Sequence, residues 1–347
     1  MKKNILYISV NDGSDTRITK EVKTLSKTFN IYFIGVGAKQ ESSFSLNHCQ
    51  HYKLIKGKRQ SPITILKLII ATLSFRFKYK FHSIHVINEQ LYIFLIPFLF
   101  GKQVVLDIFD SFFLKINKPK ETLYLIKRLL YRFPKHIIVT DMNRYNLMPK
   151  FSKQKTVIIP NVPYSVKNPN KIRKSNHSLT ICYFGSLSKN RGTEFLKNII
   201  ETNNFIDVIA AGWITDDYTK DFLKYKKVNY LGVRTQREIN SILAEKGDYL
   251  LSIYPISNLN NIYASPNKVY DAIHAKTPII MNREVKISAF IEENNIGYII
   301  NDLNEIDYNL LGNELLYFKN KYVFDNMLLK TYKWENFENK LINLHLT

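Results

Sequence analysis

Two cysteines, Cys49 and Cys182, stand in 347 residues, too few for a disulfide framework to hold a chain of this length. Cys182 lies inside the apolar run from Leu179 to Phe184 and is expected as a small buried core residue. No apolar run is long enough to cross a bilayer. Leu91 to Phe100 is interrupted by Pro97, and Ile63 to Phe75 carries Lys67; both fall short of the ~20 residues a spanning helix needs. Each is expected as a buried or interfacial helix. Met1-Lys2-Lys3-Asn4 leads straight into a strand-like run without a signal-peptide core, so the cytosol is the expected compartment. There is no short-period repeat and no low-complexity tract. With 45% hydrophobic and 23% charged residues the chain must collapse around a core, which excludes disorder.

Acidic residues are the scarce charge: 29 Asp and Glu against 50 Lys and Arg, a net of +21. The imbalance belongs to one half. Residues 1–160 hold 27 basic and 9 acidic residues, a net of +18, while residues 161–347 hold 23 and 20, a net of +3. Between Glu41 and Glu89 there are eight basic residues and no acidic one. Only the first half therefore calls for an anionic partner.

Short, nearly continuous apolar runs recur along both halves, each followed by a longer mixed stretch. Those of the first half start at Ile5, Ile31, Ile84, Val104, Ile137 and Val157; those of the second start at Leu179, Ile206, Val228, Tyr249, Pro278 and Tyr298. Four to seven residues without polar alternation mark strands buried on both faces, as in a parallel sheet. Ile18, Val22 and Leu25 recur at helical spacing after the first run, and the segments from Thr193 and Arg237 do the same. Two βα arrays predict two doubly wound α/β domains. Ile159-Pro160-Asn161-Val162-Pro163-Tyr164 and the Lys- and Asn-rich stretch to His177 mark the connection. The expected units are 1–161, 162–330 and a C-terminal helix in 331–347.

Chemistry concentrates in the second half. Ser265-Pro266 closes a loop and opens a helix, and Lys268 beside the free amides of that start makes an anion site. Asp271, one turn on, faces the same way and suits a sugar's vicinal hydroxyls. Gly185-Ser186-Leu187-Ser188-Lys189-Asn190-Arg191-Gly192 is a Gly-bounded loop after a strand, offering backbone donors and a guanidinium fork. Alone, each segment reads as a capped helix start with solvated cations. Together, at strand ends of one domain, they point to a diphosphate site.

Six segments, in order, resemble those of GT-B glycosyltransferases of the large retaining family 4, the kind that builds bacterial capsule, O-antigen and lipopolysaccharide. They are Asp15-Thr-Arg17-Ile-Thr-Lys20-Glu, Val105-Leu-Asp107-Ile-Phe-Asp110, Ile159-Pro160-Asn161, Gly185 to Gly192, Ser265 to Ile280, and Tyr332-Lys-Trp334-Glu. The resemblance implies two Rossmann-like domains facing a cleft, with a C-terminal helix crossing back to the first. It implies a UDP- or GDP-sugar donor on the second domain and no separate cofactor or metal. Arg191 and Lys268 would hold the diphosphate and Asp271 the ribose. Gly185, Ser186, Ser265 and Asn267 would line the donor site, with Gly232 and Val233 near the base. The leaving phosphate would take the acceptor's proton on the same face of the sugar. Three positions depart from the pattern: Tyr263 where the first of two acids stands, Ser186 where an Arg stands, and Phe109 where a His stands.

In the first half, Asp107 and Asp110 are expected at a strand end facing the cleft, as candidate catalytic groups. Capping of the next helix by Asp110 is an equal alternative. Glu89 is a similar candidate. His85 is expected as a satisfied core histidine. Arg17 and Lys20 either meet a phosphate or line a solvated helix face. Asp216-Asp217 lacks the neighbours of a metal site and is expected on the surface. Lys67, Arg76, Lys78 and Lys80, interleaved with aromatics, suit an anionic membrane surface, or single-stranded nucleic acid with bases stacked on the rings. The diphosphate features favour the membrane, where a polyprenyl-diphosphate-linked glycan acceptor would reside, and nucleic acid is not expected. The expected protein is a peripheral enzyme on the inner membrane face. The alternative is a noncatalytic GT-B-like protein that binds membrane or nucleic acid.

Overall fold

The structure, a computed structural model, describes residues 2–59, 61–116, 120–165 and 177–347. Most of the predicted polar connection after Tyr164 therefore lies outside the described residues. The chain divides into two compact units, residues 1–161 with 334–347, and residues 162–333.

The first unit holds a seven-stranded parallel sheet in the order β3-β2-β1-β4-β5-β6-β7. Its strands are β1 (Asn4–Ile8), β2 (Asn30–Val36), β3 (His51–Ile55), β4 (Ser83–Ile87), β5 (Gln103–Asp107), β6 (His136–Val139) and β7 (Thr156–Ile158). Six of them are the predicted apolar runs. β3 is not, because it is an edge strand whose first three residues are exposed, and an edge does not select a continuous apolar sequence. Side chains alternate strictly across the sheet. Leu6, Ile84 and Leu106 point to one face, where they pack with Leu68 of α2 (Pro62–Lys78), Leu91 and Tyr92 of α3 (Glu89–Leu95), and Leu130 of α5 (Lys120–Leu130). A one-turn helix, α4 (Phe112–Lys115), precedes α5.

The other face carries Tyr7, His85 and Asp107, covered by α1 (Thr16–Ser26) and the C-terminal helix Glu335–Leu346. Asp15 caps α1 by accepting from the amides of Arg17 and Ile18. Trp334 anchors the returning helix: it is fully buried, and its indole N–H donates to the Thr24 hydroxyl at 2.9 Å. Truncating such a side chain to Ala costs about 3–5 kcal/mol.

The second unit holds a six-stranded parallel sheet, β10-β9-β8-β11-β12-β13. The strands are β8 (Leu179–Leu187), β9 (Ile206–Ile214), β10 (Val228–Tyr230), β11 (Tyr249–Ser252), β12 (Ile279–Asn282) and β13 (Gly297–Ile300). Leu179, Ile181 and Tyr183 pack against Leu196 and Ile199 of the helix Thr193–Thr202, and Cys182, on the alternate face, is fully buried as expected. Both units are doubly wound, so each sheet presents the carboxyl ends of its strands and the following loops as the place for ligands.

Candidate functional site

The carboxyl ends of β8 and β11 in the second unit gather the donor-site candidates. After β8 the chain makes one turn of 3-10 helix, Lys189–Arg191, before the helix Thr193–Thr202. The Arg191 guanidinium lies over the Tyr254 ring, 5.1 Å from its centroid. Tyr254 follows β11 and is pinned by Asn282, whose side chain accepts from its amide at 3.0 Å and donates to its carbonyl at 3.1 Å. Lys268 is in the first turn of the helix Asn267–Ala275, entered through Pro266. Its ammonium donates to the Leu251 carbonyl at 3.1 Å and lies 5.4 Å from the centre of the Tyr183 ring. Burial pushes this ammonium down to about 8; the nearby Arg191 charge adds to the shift and Asp271 opposes it. A buried ammonium with a half-buried guanidinium nearby forms a site that an anion would stabilise.

The loop itself corrects one expectation. Three of its backbone donors are already engaged: the Ser188 amide donates to the Tyr183 hydroxyl, that of Lys189 to Asp216, and that of Arg191 to the Ser188 carbonyl. The loop thus offers the Arg191 side chain rather than a cradle of amides. Asp216 is more than a surface acid, since it caps the helix Asp217–Phe222 and tethers this loop. Asp271 accepts from the side-chain amides of Gln236 at 3.2 Å and Asn240 at 3.1 Å, both on the helix Gln236–Lys246. The Ser265 hydroxyl is buried and has no hydrogen-bond partner among the described residues.

Glycines shape the adjoining sheet end. Gly212 has φ +140°, and a Cβ there would sit 1.8 Å from the Gly185 carbonyl oxygen, so only glycine lets β8 and β9 run side by side to their ends. The ladder then pairs Ser186 with Trp213 and Leu187 with Ile214. Trp213 is 62% exposed, on a backbone held by the Tyr230 hydroxyl at the Gly212 carbonyl, 2.8 Å. Val233, beyond Gly232, is also exposed. Trp213, Tyr254, Gln236 and Asn240 were not among the sequence candidates. An exposed Trp directly after a glycine at a strand end was the available signal for the first.

The first unit separates its candidates. Arg17 is not on a solvated helix face: it is 1% exposed, and one guanidinium nitrogen donates to both Asp107 oxygens at 2.9 Å. Its Nε donates to Glu21 at 2.8 Å, the Phe109 ring lies 4.6 Å away, and its remaining terminal nitrogen makes no hydrogen bond among the described residues. Tyr7 donates to Glu21 at 2.6 Å. His85 is buried in the core as expected, with Nδ1 3.1 Å from His345 Nε2; its Nε2 makes no hydrogen bond among the described residues but lies 3.5 Å from Glu21 and 3.7 Å from Asp107. Glu21, His85 and Asp107 offer three donor atoms within 4.8 Å of one another, the spacing of a metal site. Arg17 already bridges the two carboxylates, so an added cation would face a guanidinium. Burial, with Asp107 adding to it, raises the Glu21 carboxyl to about 7, while burial lowers the His85 imidazole to about 4.

Glu89 is buried as well. It accepts from the Ser111 hydroxyl and the Phe112 amide at 2.9 and 2.7 Å, and from Tyr131. It therefore caps α4 from another element, which overturns capping by Asp110. Asp110 is exposed and pairs with Lys115 at 3.3 Å. Lys20 donates to Asn161 at 2.6 Å and lies over the Trp334 ring. Of the three catalytic candidates, Asp110 alone has an exposed carboxylate.

Two sheets of this topology define the GT-B class of fold. Residues 181–313 match the family described as glucosyltransferase 3-like, C-terminal domain. Solved structures similar over nearly the whole chain include sucrose-phosphate synthase from Thermosynechococcus elongatus, at 13% identity and a TM-score of 0.71, covering 99% of this chain and 98% of that one. HepE of Anabaena, in complex with UDP-glucose, is 13% identical with a TM-score of 0.69 over 98% of both chains. The lipopolysaccharide outer core galactosyltransferase WaaB is 10% identical with a TM-score of 0.68 over 99% of both. No curated protein matches the sequence.

Proposed function

We propose that the protein is a glycosyltransferase that moves a sugar from a UDP- or GDP-sugar to a hydroxyl of a glycan, in the manner of retaining family 4 enzymes. The observation that carries this reading is the convergence of Arg191 and Lys268 at the carboxyl ends of β8 and β11, with the ammonium held below its ordinary value. Cations kept in a dry, preorganised setting stabilise the charge that develops on a departing nucleoside diphosphate. The family match over this unit and the UDP-glucose held by HepE support the choice of donor. Asp271, oriented by two amides, would bind the ribose hydroxyls, and Trp213 and Val233 would flank the base. The leaving phosphate would accept the acceptor's proton on the same face of the sugar, which gives retention. Asp110 is the remaining first-unit carboxylate open to a substrate; Asp107 would act by holding Arg17.

The strongly basic first half supports an acceptor carried on a polyprenyl diphosphate at the cytoplasmic membrane face, in surface polysaccharide synthesis. Ser186 and Tyr263, standing where an Arg and an acid are usual, favour a second reading: a nucleotide-binding protein of this fold without turnover. Calorimetric titration with UDP and GDP tests the donor site. The Arg191→Ala, Lys268→Ala double variant is expected to lose binding; unchanged affinity refutes the phosphate assignment. UDP or GDP release from a panel of nucleotide sugars, with a lipid-linked glycan present, separates enzyme from binder.

A further inference from the structure

We propose that the outer surface of the layer formed by α2, α3 and α5 is a docking face that lies on an anionic lipid bilayer. The proposal draws on the transferase reading only for the reason an acceptor would be found there; the contact itself is argued from this surface.

α2 carries apolar side chains on its outer side as well as its inner one. Its inner side packs Leu68 and Ala71 on the sheet. Its outer side carries Ile63, Leu66, Ile70 and Phe77, which are 66, 57, 55 and 90% exposed. Their spacing of three, four and seven residues puts them in one stripe along the helix. A water-facing helix has no use for such a stripe, and nothing among the described residues covers it. α3 and α5 pack into the same core from the same side, and they too leave large apolar groups outward: Phe94 on α3, Leu125 and Leu129 on α5.

The aromatic groups continue around one edge. The end of α2 and the turns that enter β5 and β6 read Phe77-Lys78, Phe100-Gly-Lys102 and Arg132-Phe133, with all three Phe side chains exposed. Arg76 donates to the Phe100 carbonyl at 3.3 Å and the Phe100 and Phe133 rings meet at 5.8 Å, so these turns form one surface.

Charge selects the occupant. Between residues 42 and 106 the one acidic residue is Glu89, which is buried, while Lys67, Lys78 and Lys80 are exposed on and just after α2. A second copy of the chain would bring the same cations against these, and of the three helices only α5 adds a further acid, Glu121. A nucleic acid would satisfy the cations but leave Ile63, Leu66 and Ile70 against a polar backbone. An anionic bilayer takes both: aliphatic side chains enter the acyl boundary, Phe rings lie at the interface, and Lys side chains reach the headgroups.

Flotation with vesicles of phosphatidylcholine, alone or with phosphatidylglycerol, tests the face. The protein is expected to float with the anionic vesicles, to stay behind with neutral ones, and to be released by salt. Removing Lys67, Lys78 and Lys80 as alanines is expected to weaken partition about fivefold per cation at low salt. Leu66→Ser with Phe77→Ser is expected to abolish flotation at any salt while UDP binding, measured without vesicles, is retained. The proposal is overturned if the parent protein stays in solution with both vesicles, or if the serine variant floats like the parent. It is also overturned if light scattering shows a dimer that the same substitutions dissociate. A protein that binds UDP but never floats overturns the docking face and leaves the donor reading standing. One that floats without binding any nucleotide does the reverse.

Discussion

Lys268 is an ammonium that the protein keeps in a setting unfavourable to charge. Its ammonium donates to the Leu251 carbonyl, and burial with Arg191 nearby lowers it to about 8. A diphosphate would reverse that by supplying negative charge, so binding should favour the protonated form. UDP affinity is therefore expected to be level below about pH 7 and to fall as pH rises past about 8. Titrations at pH 8 in buffers of different ionisation enthalpy should report proton uptake on binding, and Lys268→Met should remove both effects. A flat pH profile in the parent would exclude Lys268 as a phosphate ligand. Arg191 lies over the Tyr254 ring. Arg191→Ala alone is expected to weaken UDP binding about 10- to 100-fold, the loss of one charge-assisted interaction of roughly 1.5–3 kcal/mol, and to move the fall to higher pH by removing a charge that depresses Lys268.

At the scale of elements, the paired ends of β8 and β9 depend on a close backbone approach. Gly212 and Gly185 both have positive φ, but they differ in what a side chain would meet: the Gly185 carbonyl oxygen in the first case, open space in the second. Gly185→Ala should therefore cost backbone strain alone, about 1 kcal/mol. Gly212→Ala adds a clash that only separation of the strands relieves, and is expected to cost roughly 2–4 kcal/mol and to weaken UDP binding by displacing Ser186 and Trp213. Urea unfolding of the two variants makes the comparison; equal losses would show that the strands yield easily. The element scale also explains Glu89. Its carboxylate replaces a local cap for α4, whose own N-cap residue, Ser111, makes no side-chain cap bond.

At the scale of the whole chain, the C-terminal helix closes on the first unit through a buried polar network. Ser83 and His85 of β4 meet His345 at 2.8 and 3.1 Å, and beyond His85 lie Glu21, Asp107, Tyr7 and Arg17 from three further elements. Glu21 and His85 give this network opposite pH responses. The folded Glu21 value of about 7 exceeds its ordinary 4.5, so its contribution is full below about pH 4.5 and is lost as pH rises through about 7. The folded His85 value of about 4 is below its ordinary 6.5, so its contribution is present above 6.5 and is lost as pH falls towards 4. Glu21→Gln keeps a neutral polar group beside Tyr7 and Arg17. It should abolish the fall in Tm expected of the parent between about pH 4.5 and 7, leaving the acid side in place. An identical fall in the variant would mean that Glu21 stays ionised in the folded protein.

The architecture was legible because its signals are local. Strands buried on both faces need unbroken apolar runs, helices need apolar residues one turn apart, and twelve such runs became strands, with β3 missed because an exposed edge imposes no such pattern. The donor-site loops were legible for a related reason, since a glycine, a helix start and a cation within a few residues already make an anion site. The first-unit carboxylates were not. Asp107 faces Arg17 from 90 positions away, and Glu89 caps a helix more than 20 positions on. Sequence by itself determined where apolar and charged residues recur along the chain, hence two parallel sheets and one basic half. Which charge meets which, and which apolar side stays uncovered, was decided only by the order and facing of the strands, because electrostatic partnership and burial depend on distance in space.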